Sequence, residues 1–221
     1  MGQNILTPKQ TQFLERIQIE PEVVKRFYLT GGTALSAFYL QHRLSYDIDL
    51  FTEKEEVDQK LVEAFLKTIS PQLSVVQIKR SQFMGLFSYT LVYEDGDELK
   101  VDFSYYPFPR IQEGINFKKL KIDSVYDIAA NKIHTIFTKP RSRDYLDLYF
   151  IMRKYKYPLN KLIIDAKAKF DWHIDKVTLA SQFLRVKDVD ESSLVVVPFD
   201  NEDMENFFLS QAKLLEGDIF N

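Results

Sequence analysis

Leu29-Thr30-Gly31-Gly32-Thr33-Ala34-Leu35, followed by Arg43-Leu44-Ser45-Tyr46-Asp47-Ile48-Asp49-Leu50-Phe51, is the stretch that decides the fold. Residues 26–29 read as a short strand. Two glycines then permit a tight strand-to-helix turn, because glycine tolerates positive φ, and Thr33 reads as the N-cap of a helix running to about Gln41. Ala34, Leu35, Phe38 and Tyr39 recur at helical spacing and form its buried face. A helix start preceded by glycines offers backbone N–H groups and partial positive charge to an anion. Residues 47–51 read as the next strand. Residues i and i+2 of a strand share a face, so Asp47 and Asp49 project together while Ile48 and Leu50 turn toward a core. Like charges on one face are unfavourable unless a cation sits between them, and Mg²⁺ binds through a few carboxylates plus substrate phosphates. A bare Gly-Gly or Asp-x-Asp is common. Their order on strand, turn, helix and strand points to metal-assisted chemistry on a nucleoside triphosphate.

A third carboxylate lies further along. Residues 85–93 and 99–105 read as strands joined at Asp95-Gly96, a strong hairpin signal. In the second arm Leu99, Val101 and Phe103 alternate with Lys100 and Asp102. Asp102 is either an outward polar position or the residue that completes a three-carboxylate cluster.

Gly31-Gly32-Thr33-Ala34-Leu35, Arg43-x-Ser45-x-Asp47-Ile48-Asp49-Leu50-Phe51 and Val101-Asp102-Phe103 resemble the nucleotidyltransferase superfamily that includes DNA polymerase β, and within it the AbiEii-type abortive-infection toxin branch. Asp127-Ile128-Ala129-Ala130-Asn131-Lys132 resembles that family's helix carrying a catalytic or nucleotide-contacting lysine. Arg143-Asp144-Tyr145-Leu146-Asp147-Leu148 resembles its later Arg-Asp-x-x-Asp-Leu helix. The likeness covers residues 29–150; the C-terminal third adds helical character without a motif. It implies an α/β (α+β) fold: a nucleotidyltransferase-like mixed β-sheet with flanking helices plus a C-terminal helical region. It also implies Mg²⁺-dependent transfer of an NMP from an NTP to an acceptor hydroxyl on RNA, tRNA or protein, and the toxin role of a type IV toxin–antitoxin system with a cognate antitoxin as partner.

By the same resemblance, Asp47, Asp49 and Asp102 hold two Mg²⁺ ions, with Asp102 completing the coordination or acting as base. Gly31, Gly32 and Thr33 dock the triphosphate. Arg43 and Ser45 brace the turn, or Arg43 contacts a phosphate. Lys132 binds phosphate or stabilises the departing pyrophosphate. Asp144 or Asp147 positions the lysine, the base or the acceptor. The superfamily's usual Gly-Ser is replaced by Gly31-Gly32-Thr33, which leaves Thr33 to supply the hydroxyl. Read without the resemblance, Lys132 is a lysine snorkelling from an apolar helix face to water, and Asp127 is an N-terminal cap beside Ser124. Two alternatives stay open: a small-molecule, antibiotic-type nucleotidyltransferase, and a non-enzymatic nucleotide-binding or interaction module of the same fold.

The rest of the chain agrees with a soluble enzyme. Its 221 residues are 45% hydrophobic and 14% aromatic, enough for a sizeable core in one domain or two small ones. A net charge of −3 gives no global pull toward nucleic acid. The absence of cysteine excludes disulfides and Cys-based zinc sites, and with three histidines a His-rich metal site is not expected. Lacking a signal-like or membrane-length apolar run, the protein is expected to be cytoplasmic and to have no membrane partner. Thr7-Pro8 opens a first helix. Helices are predicted at 53–67, 124–138, 142–155, 159–170, 174–185 and 201–215, and a strand at 73–79, whereas 193–198 is an apolar run without assignment. The domain division is placed at 1–115, the nucleotidyltransferase core, and 116–221, a mostly helical region completing the cleft. The boundary falls where Pro107, Pro109 and Gly114 cluster. Lys139, Arg141, Arg143, Arg153, Lys154 and Lys156, interleaved with Tyr145, Tyr149, Tyr155 and Tyr157, form a candidate RNA contact or a solvated helix face over core aromatics.

Overall fold

The computed structural model describes residues 5–189 and 192–219, and the chain falls into two compact units. The first comprises the residues up to Tyr39, Leu44–Pro109 and Glu113–Ser124; the second comprises Leu40–Arg43, Arg110–Gln112 and the residues from Val125 onward.

The first unit is built on a mixed sheet. Its strands are β1 (Tyr28–Thr30), β2 (Ile48–Thr52), β3 (Val75–Phe83), β4 (Leu86–Tyr93), β5 (Glu98–Tyr105), β6 (Asn116–Phe117) and β7 (Leu120–Ile122), in the order β3-β4-β5-β2-β1-β7-β6. Neighbours are antiparallel except β2 with β5 and β1 with β7, which are parallel. The register lines up apolar side chains across the sheet: Tyr89 against Val101, Val101 against Ile48, Phe103 against Leu50, Leu50 against Leu29, and Leu29 against Ile122. All of these are buried. Two helices add to this core. In α1 (Pro8–Arg16), Thr7 caps the N-terminus in a capping box with Gln10. In α4 (Gln59–Ile69), Asp58 caps the Leu61 N–H. Phe13 meets Phe65 edge-on at 6.0 Å.

Local readings fare unevenly. The first strand lies at Tyr28–Thr30, because Pro21 begins a short helix, α2 (Pro21–Arg26), which the sequence reading missed. The helix expected at 53–67 starts only after its Asp58 cap. β3 runs on to Phe83, past the expected end at 79. The Asp95-Gly96 hairpin is present, with Gly96 at φ +87°. The helix after β1, α3 (Gly31–Leu35), begins at Gly31 and continues as a π-helical turn over Ser36–Leu40. Thr33 is therefore not the N-cap. Thr30 holds that position without a side-chain capping bond, and its hydroxyl instead donates to Asp123 at 2.7 Å.

The second unit is helical: α5 (Val125–Thr138), α6 (Ser142–Tyr155), α7 (Leu159–Phe170), α8 (Lys176–Leu184) and α9 (Asn201–Ile219). These match the predicted helices closely. Stops are local: α6 ends at Lys156 in the left-handed region before Pro158, and α7 ends at Asp171 in the same conformation. Tyr145 and Tyr149 are buried, so the basic run of α6 lies over core aromatics. The unassigned run at 193–198 pairs Val195 with Arg43 in an isolated bridge. Among the described residues, no helix is long and apolar enough to cross a membrane.

Gly114 packs on the backbone of β7. A Cβ there would overlap the Ile122 carbonyl oxygen and lie 2.8 Å from the Asp123 carbonyl carbon. Backbone cannot yield as a side-chain end can, so Gly114→Ala should lower stability by about 1–3 kcal/mol. Urea unfolding measures this, and a wild-type midpoint would contradict the packing.

Candidate active site

The alternation expected around the Asp-x-Asp is observed. Ile48 and Leu50 are fully buried, while Asp47 and Asp49 are half-buried on the opposite face. Parallel pairing of β2 with β5 then sets Asp49 directly opposite Asp102. Asp49 and Asp102 thus share one face of two adjacent strands, and Asp47 lies just before β2, its charge acting on Lys100. Asp102 is buried, and its Oδ1 has no hydrogen-bond partner. Its Oδ2 accepts from Lys100 Nζ at 2.5 Å. Burial pulls the Lys100 ammonium toward neutrality, yet its bond to Asp102 and the charges of Asp102, Asp47 and Asp49 outweigh that and raise its pKa.

The glycine turn is locked to this face. Gly31 has φ +73°, in the left-handed region, and a Cβ on it would overlap Asp49 Oδ2. The absent side chain is the space Asp49 occupies. Thr33, one turn into the helix, donates its hydroxyl to the Asp47 carbonyl. It therefore ties the phosphate-turn helix to the loop delivering the first carboxylate.

Among the described residues, no group of three or more His, Cys, Asp or Glu side chains is assembled as a metal-ligand cluster. The donor chemistry nevertheless fits a hard divalent cation. Asp49 and Asp102 are in register, and an orphaned buried carboxylate oxygen faces their side of the sheet. Mg²⁺ takes one or two carboxylates and completes its shell with water and phosphate.

In the helical unit a second charge cluster forms around Asp147, which is wholly buried. Asp147 Oδ1 accepts from Arg43 Nε at 2.6 Å and His42 Nε2 at 2.9 Å. Oδ2 accepts from Arg43 Nη2 at 2.9 Å and Lys132 Nζ at 2.6 Å. Lys132 also donates to Asp144 Oδ1 at 2.7 Å. Asp144 in turn accepts from the Arg141 backbone and guanidinium, capping α6. Burial raises the pKa of both aspartates, but Lys132 with Arg43 holds Asp147 well below the usual carboxylate range, and Lys132 with Arg141 lowers Asp144. Burial lowers the pKa of His42, overriding the pull of Asp147. The ring is therefore neutral near pH 7, with its Nε2 proton directed at Asp147 and Nδ1 buried without a partner. His42 further accepts the Val196 N–H on its carbonyl.

The structure thus brings Gly31, Thr33, Asp47, Asp49 and Asp102 together in the sheet unit, and Arg43, Lys132, Asp144 and Asp147 together in the helical unit. Asp144 and Asp147 both hold Lys132. Asp127 accepts the backbone N–H groups of Ile111 and Gln112 and the buried Lys169 ammonium. Its carboxylate therefore serves a segment distant in sequence, beyond the local capping role read for it. Sequence reasoning missed Lys100 and His42. Lys100 was legible as the i−2 neighbour of Asp102 on one strand face; His42 had no signal, since its partner lies over a hundred residues away.

The seven-stranded mixed sheet with its flanking helices is nucleotidyltransferase-like. Residues 12–216 match the family described as nucleotidyl transferase AbiEii toxin, Type IV TA system, and the chain belongs to that family. It is accordingly an enzyme of the nucleotidyl-transfer class. A curated relative, the uncharacterized protein aq_aa25 of Aquifex aeolicus (strain VF5), is 30% identical over 210 residues, covering 94% of this chain and 96% of the relative. The fold is shared with JHP933 from Helicobacter pylori, with TM-score 0.61, 19% identity, and 95% and 91% of the two chains covered. A second H. pylori structure, described as a candidate nucleotidyltransferase, aligns with TM-score 0.62 and 19% identity over 96% and 97% of the chains.

Two outcomes test this geometry. Gly31→Ala should cost at least about 1–2 kcal/mol through left-handed strain alone, with the Asp49 clash added. The cost should shrink in an Asp49→Ala background, and equal costs in both backgrounds would dissociate the two residues. The His42 pKa is depressed, so its contribution to stability is fully present above the ordinary value of about 6.5 and is lost as pH falls toward the folded value. His134, also lowered by burial, acts in the same direction. Urea unfolding of His42→Gln should show a shallower loss between about pH 7 and 5 than wild type; parallel curves would exclude a neutral His42. Asp147 and Asp144 act lower, losing their contribution only as pH falls below about 4.

Proposed function

We propose that this chain transfers an NMP from an NTP to an acceptor hydroxyl on RNA or protein, with Mg²⁺ held by Asp47, Asp49 and Asp102. It would act as the toxin of a type IV toxin–antitoxin pair with a cognate antitoxin. The observation that carries the reading is the register of Asp49 against Asp102 on parallel strands, with Asp49 filling the space left by Gly31. When bound, Mg²⁺ would neutralise triphosphate charge and lower the pKa of the acceptor hydroxyl. Gly31, Gly32 and Thr33 would receive the triphosphate on the backbone of the turn. The acceptor oxygen forms a bond to the α-phosphorus as the bond from that phosphorus to the bridging oxygen breaks. That electron pair leaves with pyrophosphate, and the acceptor proton passes to whichever Asp102 oxygen the ion does not take.

Lys132 is read as a nucleotide-binding lysine whose ammonium Asp144 and Asp147 hold in place. Arg43 is read as a brace, since its guanidinium is spent on Asp147 at two points. The toxin role rests on the family description.

The test is incubation with each α-phosphate-labelled NTP, Mg²⁺ and total cellular RNA or protein. Label should enter one macromolecular fraction with release of pyrophosphate. Asp49→Asn and Asp102→Asn should each lower transfer by about 10²–10³-fold, the scale of losing one preorganised electrostatic stabiliser, while retaining a cooperative unfolding transition. Wild-type turnover in either variant would refute the carboxylate assignment. Label confined to a small molecule would favour an antibiotic-type acceptor.

A further inference from the structure

We propose that Lys100 is a tethered cation that keeps Asp102 closed to a free divalent ion and releases it when the ion arrives together with a triphosphate. The inference rests on the carboxylate reading above and adds a gate to it.

The argument is one of position. Lys100 stands two residues before Asp102 on the same strand face, with Nζ 2.5 Å from Asp102 Oδ2. The charges of Asp47 and Asp49 also act on this ammonium. The remaining acid on that edge of the face, Glu98, is already engaged by Lys79 at 2.6 Å. Lys100 is thus aimed at the carboxylates proposed to hold metal. The two partners differ in exposure: the Asp102 side chain is 9% exposed, whereas that of Lys100 is 43% exposed. The anion is fixed in the sheet while the cation has room to swing out. Its antiparallel neighbour is Thr90, a short side chain.

A buried carboxylate without a counter-ion is costly, and Lys100 supplies one from the chain itself. A free divalent ion at Asp102 must compete for the carboxylate's charge with this intramolecular ammonium, which sits at high effective concentration. An ion carried by a triphosphate brings its own oxygen ligands, and the displaced ammonium gains phosphate oxygens to pair with. Lys100 therefore makes metal binding depend on nucleotide. No bond is made or broken; the ammonium exchanges one anionic partner for another.

The experiment titrates the full-length protein with Mn²⁺ and follows free Mn²⁺ by electron paramagnetic resonance, with and without a non-hydrolysable NTP analogue. Lys100→Met and Lys100→Gln are compared with wild type, with Asp102→Asn as control. Without nucleotide, both Lys100 variants should bind Mn²⁺ about 10-fold or more tighter, the loss of one charge-assisted competitor. With the analogue, the difference should shrink to within about threefold. In the Asp102→Asn background, Lys100→Met should change Mn²⁺ affinity much less than it does in the wild-type background. Mn²⁺ should also raise the unfolding temperature more in Lys100→Met than in wild type, and this reading extends to either variant should it be only marginally folded. Equal Mn²⁺ affinity in wild type and both variants without nucleotide overturns the inference. So does a gain that persists unchanged with the analogue. These measurements involve no acceptor and no turnover, so failure to find transfer would strike the proposed activity and leave the Lys100 result standing.

Discussion

Carboxylates withdrawn from water govern this chain, because each must be matched by a cation or by hydrogen-bond donors. Desolvating an ion costs several kcal/mol before any partner is counted. Asp102 in the sheet unit is met by Lys100; Asp147 in the helical unit is met by Arg43 and Lys132, and Asp127 by Lys169. Breaking a buried pair by removing one partner typically costs about 3–5 kcal/mol, so these pairs limit which substitutions either unit tolerates.

The two units answer the same constraint differently. In the helical unit the charges are saturated: Asp147 receives Arg43 at two points, His42 and Lys132, and its pKa is held far down. A cluster so satisfied is rigid and specifies one arrangement of its helices. In the sheet unit satisfaction is incomplete. Asp102 keeps an orphaned oxygen, and its one lysine partner is half in water. The unmet Asp102 oxygen leaves that face able to accept a further cation or donor.

Much of the sheet unit was legible because strand periodicity is local. Ile48 and Leu50 against Asp47 and Asp49, and Val101 against Asp102, follow from alternation alone. Pairing is not local: nothing in residues 47–51 announces that Asp49 meets Asp102 in register. Thr33 was misread because the helix starts at Gly31 itself, so the hydroxyl expected to cap it falls inside and turns to the Asp47 carbonyl. The missed helix at Pro21–Arg26 had a start signal in Pro21, masked by a strand reading that reached back to residue 26. In the helical half, regular apolar spacing placed the helices well. The partners of Asp147 come from residues 42 and 43, a long-range contact that no periodicity encodes.

The sheet order has a kinetic consequence. β3, β4 and β5 form a meander of successive hairpins, built from contacts close in sequence. The β2–β5 and β1–β7 pairs are parallel and join segments far apart in the chain, and closing such loops is the slow part of folding. The acidic pair exists only across that β2–β5 seam. A chain emerging from synthesis can therefore hold a formed meander and still lack the juxtaposed aspartates. Contact order thus predicts that their assembly comes late in folding, after the meander.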